Sequence, residues 1–178
     1  MRVPIGAGLA LLAATLAGPA AAQLEPISPQ CVGLVGTFLT TKSTTSEEGV
    51  PERSLIALTS GGNAFLSDSA QGGGPQYQPF STSRGAWTCT DAAGDKLSFK
   101  AVMVDFTFPT AELPKAQVVR VETEGVFNAI EGSISGETRV SFYPLSSDPL
   151  SDEAPTNQLE YSFTGQKIRV KDAKEAAE

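Results

Sequence analysis

Two kinds of side chain in this sequence could do chemistry or recognition. One is a carboxylate, Asp105, and the other is a set of aromatic residues, Trp87, Phe99, Phe142, Tyr161 and Phe163. A carboxylate pointing into an apolar interior has a raised pKa, because burial penalises its charged form, and it could serve as a general acid or base. Asp105 points inward if the alternation begun by Leu97 and Phe99 continues. However, Val104, Phe106 and Phe108 take the opposite parity. The expectation is therefore a slip that turns Asp105 outward. The aromatics read first as ordinary core. If some of them line an apolar pocket instead, Arg84, Asp105, Tyr143 or Tyr161 would provide its polar contacts.

Much other chemistry is ruled out by composition. The chain has no histidine and two cysteines, which removes Ser-His-Asp and Cys-His catalysis and histidine- or thiolate-rich metal sites. Gly72-Gly73-Gly74 has neither the following helix nor the Lys-Ser/Thr pair of a phosphate loop. Asp148, Asp152 and Glu153 gather in one loop but lack the order of an EF-hand, and a solvated loop accounts for them. Glu122 and Glu124 share a strand face with Arg120 and Asn128 and read as an exterior surface. No catalytic residue, metal site or cofactor is expected.

The elements that must carry these residues are strands. Short alternating runs of β-branched and aromatic residues, bounded by Gly, Pro, Asn, Asp and Ser, predict strands at 34–42, 52–60, 63–69, 84–90, 96–108, 116–130, 134–143 and 157–170. No helical period is expected from 23 to 170. Ser60-Gly61-Gly62-Asn63, Asp91–Asp95 and Glu131-Gly132-Ser133 read as hairpin turns. The Gly72–Pro75 stretch lies in a longer polar loop, expected to be too flexible for a packed element and to be either a lid or a simple surface loop. Faces follow from the period of two: Val119, Val121 and Phe127 share one side of the sixth strand, and Ile134, Thr138, Val140 and Phe142 one side of the seventh. A second parity slip is expected after Gly165, where Ile168 and Val170 leave the face of Leu159, Tyr161 and Phe163. Eight strands with short turns predict a single antiparallel up-and-down barrel over residues 34–170, with a β-sandwich as the alternative.

The N terminus reads as a secretory signal. Arg2 precedes an apolar run from about Ile5 to Ala17, and Ala20-Ala21-Ala22 offers cleavage after Ala22. The run is too short to span a bilayer, and no later segment is long and apolar enough. Residues 23–33 are expected as an extended lead-in and 171–178 as a frayed acidic tail. Loss of Arg2 with the signal takes the formal net charge from −7 to −8, which disfavours nucleic acid and anionic membrane surfaces. In an oxidising compartment, periplasm or cell exterior, a Cys31–Cys89 disulfide is the default, with free thiols as the alternative. Closing a loop of nearly sixty residues, it would be worth roughly 4 kcal/mol.

The landmarks Gly36-Thr37-Phe38, Leu55-Ile56-Ala57-Leu58-Thr59 with Gly61-Gly62-Asn63, Ser67-Asp68-Ser69, Gly85-Ala86-Trp87 and Gly165-Gln166-Lys167-Ile168-Arg169 span most of the chain. Their order resembles a family of small exported bacterial proteins with a lipocalin-like (calycin-type) or allene-oxide-cyclase-like barrel. In lipocalins an aromatic of the first strand closes the barrel bottom against a basic residue near the chain end. The resemblance implies Phe38 and Arg169 for these parts. It also implies a non-catalytic binding protein holding one small hydrophobic molecule. The alternatives are a filled barrel acting as a structural or interaction module, and a cofactor-free isomerase or cyclase working in the barrel cavity.

Overall fold

The computed structural model describes residues 27–45, 49–74 and 77–170. The signal segment 1–22, the first part of the lead-in, Pro75 and the tail 171–178 lie outside the described residues. Eight strands follow in order: β1 (Gly36–Thr45), β2 (Pro51–Leu58), β3 (Asn63–Asp68), β4 (Ser83–Ala93), β5 (Lys96–Phe106), β6 (Gln117–Asn128), β7 (Ser133–Pro144) and β8 (Asn157–Lys167). Each pairs antiparallel with the next, and β1 also pairs with β8, so the sheet closes into a barrel. Closure leaves no open strand edge among them. The expected single up-and-down barrel is the observed fold, and the sandwich is not.

The lead-in departs from expectation. Pro29–Leu34 forms a 3-10 helix rather than extended chain. Proline suits its first turn, where the missing N–H has no partner to lose, and six residues are too few for a period to be visible in sequence. This helix lies under the barrel end where β1 begins. It buries Cys31 and Leu34, and a disulfide ties Cys31 to Cys89 of β4. With the hairpins β2–β3, β4–β5 and β6–β7, it defines the lower end.

Neither expected parity slip occurs. Along β5 the buried positions are Leu97, Phe99, Ala101, Met103 and Asp105, unbroken, and the β5–β6 register runs without a shift from Lys96↔Asn128 to Phe106↔Val118. Phe106 and Phe108 are simply outward and about half exposed. Likewise β8 keeps register with β1 and β7 through Gly165, and Ile168 and Val170 lie outside. Register shifts lie instead on their neighbours, on β4 between Cys89 and Asp91 in its pairing with β5 and on β1 between Thr41 and Thr45 in its pairing with β2.

The lower and middle barrel is filled. Phe38, Ile56, Leu58, Trp87, Leu97, Phe99, Phe127, Ile134 and Phe163 form one buried cluster. Room for two of the rings comes from facing glycines. A Cβ at Gly125 would fall 2.7 Å from the Phe99 ring, and one at Gly136 would fall 2.8 Å from the Phe163 ring. At the very bottom Lys167 donates to the Gly33 carbonyl at 2.8 Å and lies 5.8 Å from the Phe38 ring centroid and 5.6 Å from that of Phe127. Gly36 makes this possible, since a Cβ there would fall 2.5 Å from the lysine chain. The basic partner of Phe38 is thus Lys167, which has inward parity. Arg169 instead lies against Gly132.

Candidate functional site

Inward positions change character toward the upper end. On β1 through β5 they are polar: Thr40 and Lys42, Glu52 and Ser54, Asp68, Ser83, and Asp105. On β6 through β8 they are mainly apolar: Val119 and Val121, Val140 and Phe142, and Leu159 and Tyr161. The upper barrel wall is therefore two-sided, a polar arc facing an apolar one.

Lys42 organises the polar arc. Its side chain is 8% exposed; it is paired with Asp68 and lies 3.2 Å from Glu52. The Ser54 hydroxyl donates to Asp68 at 3.0 Å, and the Thr40 hydroxyl to the Ser54 carbonyl at 3.2 Å. The ammonium sits 4.7 Å from the centre of the Tyr161 ring. Burial works to lower the Lys42 pKa, but Tyr161, Asp68 and Glu52 outweigh it and the net shift is upward, so the side chain stays charged. Burial pushes the Tyr161 phenol up, against the pull of Lys42.

Asp105 stands apart from this pair. It is 3% exposed. The Ser83 hydroxyl donates to its Oδ2 at 2.6 Å, while Oδ1 is buried with no hydrogen-bond partner. Burial, opposed by the Ser83 bond and assisted by the charge of Asp68, raises its pKa to about 6. Register puts Asp105 opposite Val119, and Val119 opposite Phe142.

Among the described residues, Phe142 belongs to a stretch of inner wall that is only partly covered. Val140, Phe142 and Tyr161 are only partly buried, and Leu159, directly across from Val140, is 53% exposed. On the opposite side the upper end is covered. Gln78 is buried and its amide donates to the carbonyls of Leu113 and Lys115, lashing the β3–β4 loop to the β5–β6 loop. Phe80 pairs with Thr107, and Phe108 N–H donates to the Pro79 carbonyl at 2.8 Å. In the described part of the loop carrying Gly72–Gly74, the Gly73 N–H donates to the Ala70 carbonyl and the Phe80 N–H to the Gln71 carbonyl, which ties it down as a surface loop.

The residues singled out in the sequence divide three ways. Phe142, Tyr161 and Asp105 all face inward in the upper barrel, on β7, β8 and β5. Trp87, Phe99 and Phe163 are inward but belong to the filled part, with Trp87 Nε1 donating to the Thr59 carbonyl at 2.9 Å; Phe163 lies directly across from Lys42 and forms the floor of the upper region. Arg84 and Tyr143 do not reach the interior. Arg84 is exposed on the outer face, one residue out of phase with Ser83. Tyr143 also points outward, and is fully buried because Arg120 lies over its ring at 5.8 Å and holds the Pro149 carbonyl at 3.1 Å, drawing the β7–β8 loop across that face. A strand alternation marks Tyr143 as outward; only the returning loop buries it.

Lys42, Glu52, Ser54, Asp68 and Ser83 were not anticipated. The signal was available, because Phe38, Thr40, Lys42 and Ala64, Leu66, Asp68 alternate without a break. An apolar-face reading stops where the side chains turn polar.

Other expectations concern the exterior. Glu124 pairs with Lys100 at 2.6 Å and Glu122 with Arg120 at 3.3 Å, both on the outer wall. Asp148 accepts the Leu150 N–H within its own turn. Among the described residues no group of three or more His, Cys, Asp or Glu side chains is placed to hold a metal ion, and no helix is long and apolar enough to cross a membrane. The outer wall carries Lys100, Glu124, Arg139 and Glu160 at the level where a membrane barrel needs an apolar band. No protein-family model matches the chain, and neither does any curated protein or solved structure.

Proposed function

We propose that this chain is an exported, non-catalytic binding protein that takes one small amphipathic molecule into the upper half of its barrel. The supporting observation is the two-sided upper wall beside an open stretch: Val140, Phe142, Leu159 and Tyr161 offer an apolar surface reachable from outside, facing a buried polar arc. Eight strands give an interior just wide enough for one small ligand above a filled base. The resemblance to lipocalin-like barrels is consistent with this reading. The Lys167–Phe38 contact at the barrel bottom supports it. The Cys31–Cys89 disulfide supports export to the periplasm or exterior, where N-terminal sequencing should find Gln23 first. Nucleic acid is not among the partners proposed, given the acidic net charge.

Native mass spectrometry of the protein purified from its own compartment, with solvent extraction, tests the reading. A stoichiometric amphipathic passenger supports it. An empty protein whose melting temperature is unmoved by lipids, isoprenoids and aromatics would sink it and leave the filled barrel as a structural module. A second reading, a cofactor-free isomerase, draws on Asp105, a buried carboxylate with a pKa of about 6 suited to moving a proton near neutral pH. Turnover of a passenger by the wild type, lost in Asp105→Asn, would favour it.

A further inference from the structure

The polar arc has an imbalance that bears on what the ligand must be. Three carboxylates, Glu52, Asp68 and Asp105, face inward with one ammonium, Lys42, which is occupied by the first two. Asp105 gets one hydroxyl donor and no cation, and its Oδ1 is buried without a partner. A buried charged acceptor left unmade is costly, and natural interiors avoid it unless something else completes the bond. Asp105 stands one strand across from Val119 and two strands from Phe142 of the partly covered apolar wall.

We infer that the molecule taken up is an organic amine with an apolar body, its ammonium donating to Asp105 Oδ1 while its hydrocarbon lies against Val119, Val140, Phe142 and Leu159. This rests on the binding reading above and specifies its ligand. A carboxylate ligand would meet an already acidic wall, and a neutral alcohol would complete the same bond but bring no positive charge to balance the carboxylate. The titratable and charged groups sharing the inner wall are Lys42 on β1, Glu52 on β2, Asp68 on β3 and Tyr161 on β8, with Lys167 at the far end. β4 contributes Ser83, and the inward positions of β6 and β7 have no titratable side chain. Because Asp105 titrates at about 6, amine binding should weaken as pH falls through that value.

Isothermal titration of the delipidated, disulfide-intact protein with octylamine, octanol and octanoic acid is the test. At about pH 8 the amine should bind roughly tenfold or more tighter than the alcohol, the size of a charge-assisted bond, with the acid weakest. Asp105→Asn should erase the amine's advantage over the alcohol. In the wild type, going from about pH 8 to about pH 5 should weaken the amine by about tenfold and the alcohol by less; this holds as a check even if the variant folds poorly. Equal or tighter binding of the alcohol or acid, or an amine advantage that survives Asp105→Asn, overturns the cation assignment alone. Failure of all three ligands to bind overturns the binding reading with it.

Discussion

The two halves of this barrel have the same strands and the same alternation but opposite contents. Below Phe99 and Phe163 the inward side chains are apolar and tightly covered, with a 3-10 helix pinned across the end by Cys31–Cys89 and Lys167 reaching in to the Gly33 carbonyl. Above them the same strands present Lys42, Glu52, Asp68 and Asp105 on one side and a partly open apolar wall on the other. A fold that needed only to be stable could have continued the lower pattern to the top. Replacing buried ion pairs by packed hydrophobes is often neutral or stabilising. The difference therefore separates the half that is packed for stability from the half on which the proposed binding reading rests.

That contrast can be broken first at its base. Phe99→Ala would empty the space against Gly125 and should cost about 3–5 kcal/mol of stability by denaturant unfolding. Lys42→Met should be of similar size, about 3–5 kcal/mol, because it strands Asp68 and Glu52 as buried charges; the double variant Lys42→Met with Asp68→Leu should recover part of the loss. If the single change were silent, the upper arc would not be the closed ionic network its distances describe. Removing the disulfide by paired serine substitution should cost about 2–5 kcal/mol, read as a lower melting temperature.

Asp105→Asn sharpens the contrast from the other side, because it should stabilise. The carboxyl of Asp105 has a folded-state pKa of about 6 against an ordinary value of 3.8, so the folded protein binds this proton more tightly than the unfolded chain does. Its contribution is fully present below about 3.8 and is lost as pH rises through about 6. The variant should thus gain on the order of 1–3 kcal/mol over wild type at about pH 8, and little at about pH 4. Urea midpoints at the two pH values check it, and an equal difference at both would mean that Asp105 is not buried as described. The smallest effect is expected at the mouth. Leu159→Ser should change stability by less than about 0.5 kcal/mol, since the side chain is already half in water, while weakening uptake of an apolar fluorescent probe.

The strands, their order and the antiparallel barrel were legible in the sequence because a period of two is a local property, visible wherever one face of a strand is apolar. The inward parity of Phe142, Tyr161 and Phe163 was legible on the same terms, and the Cys31–Cys89 pairing followed from there being two cysteines in a chain read as exported. The candidate site was legible only in part. Asp105 was misassigned because exposed Phe106 and Phe108 looked like a core face, and residue type outvoted the unbroken alternation. Lys42 and Asp68 continued their strands' inward parity but were passed over as polar. Tertiary structure alone decided the rest: that Gln78 lashes two loops over one side of the barrel and leaves the β7–β8 side open, that the Pro149 loop returns to bury the outward Tyr143, and that Lys167 rather than Arg169 meets Phe38. Alternation states which way a side chain points. What stands in front of it depends on strands and loops far away in sequence, and only closure of the barrel brings them there.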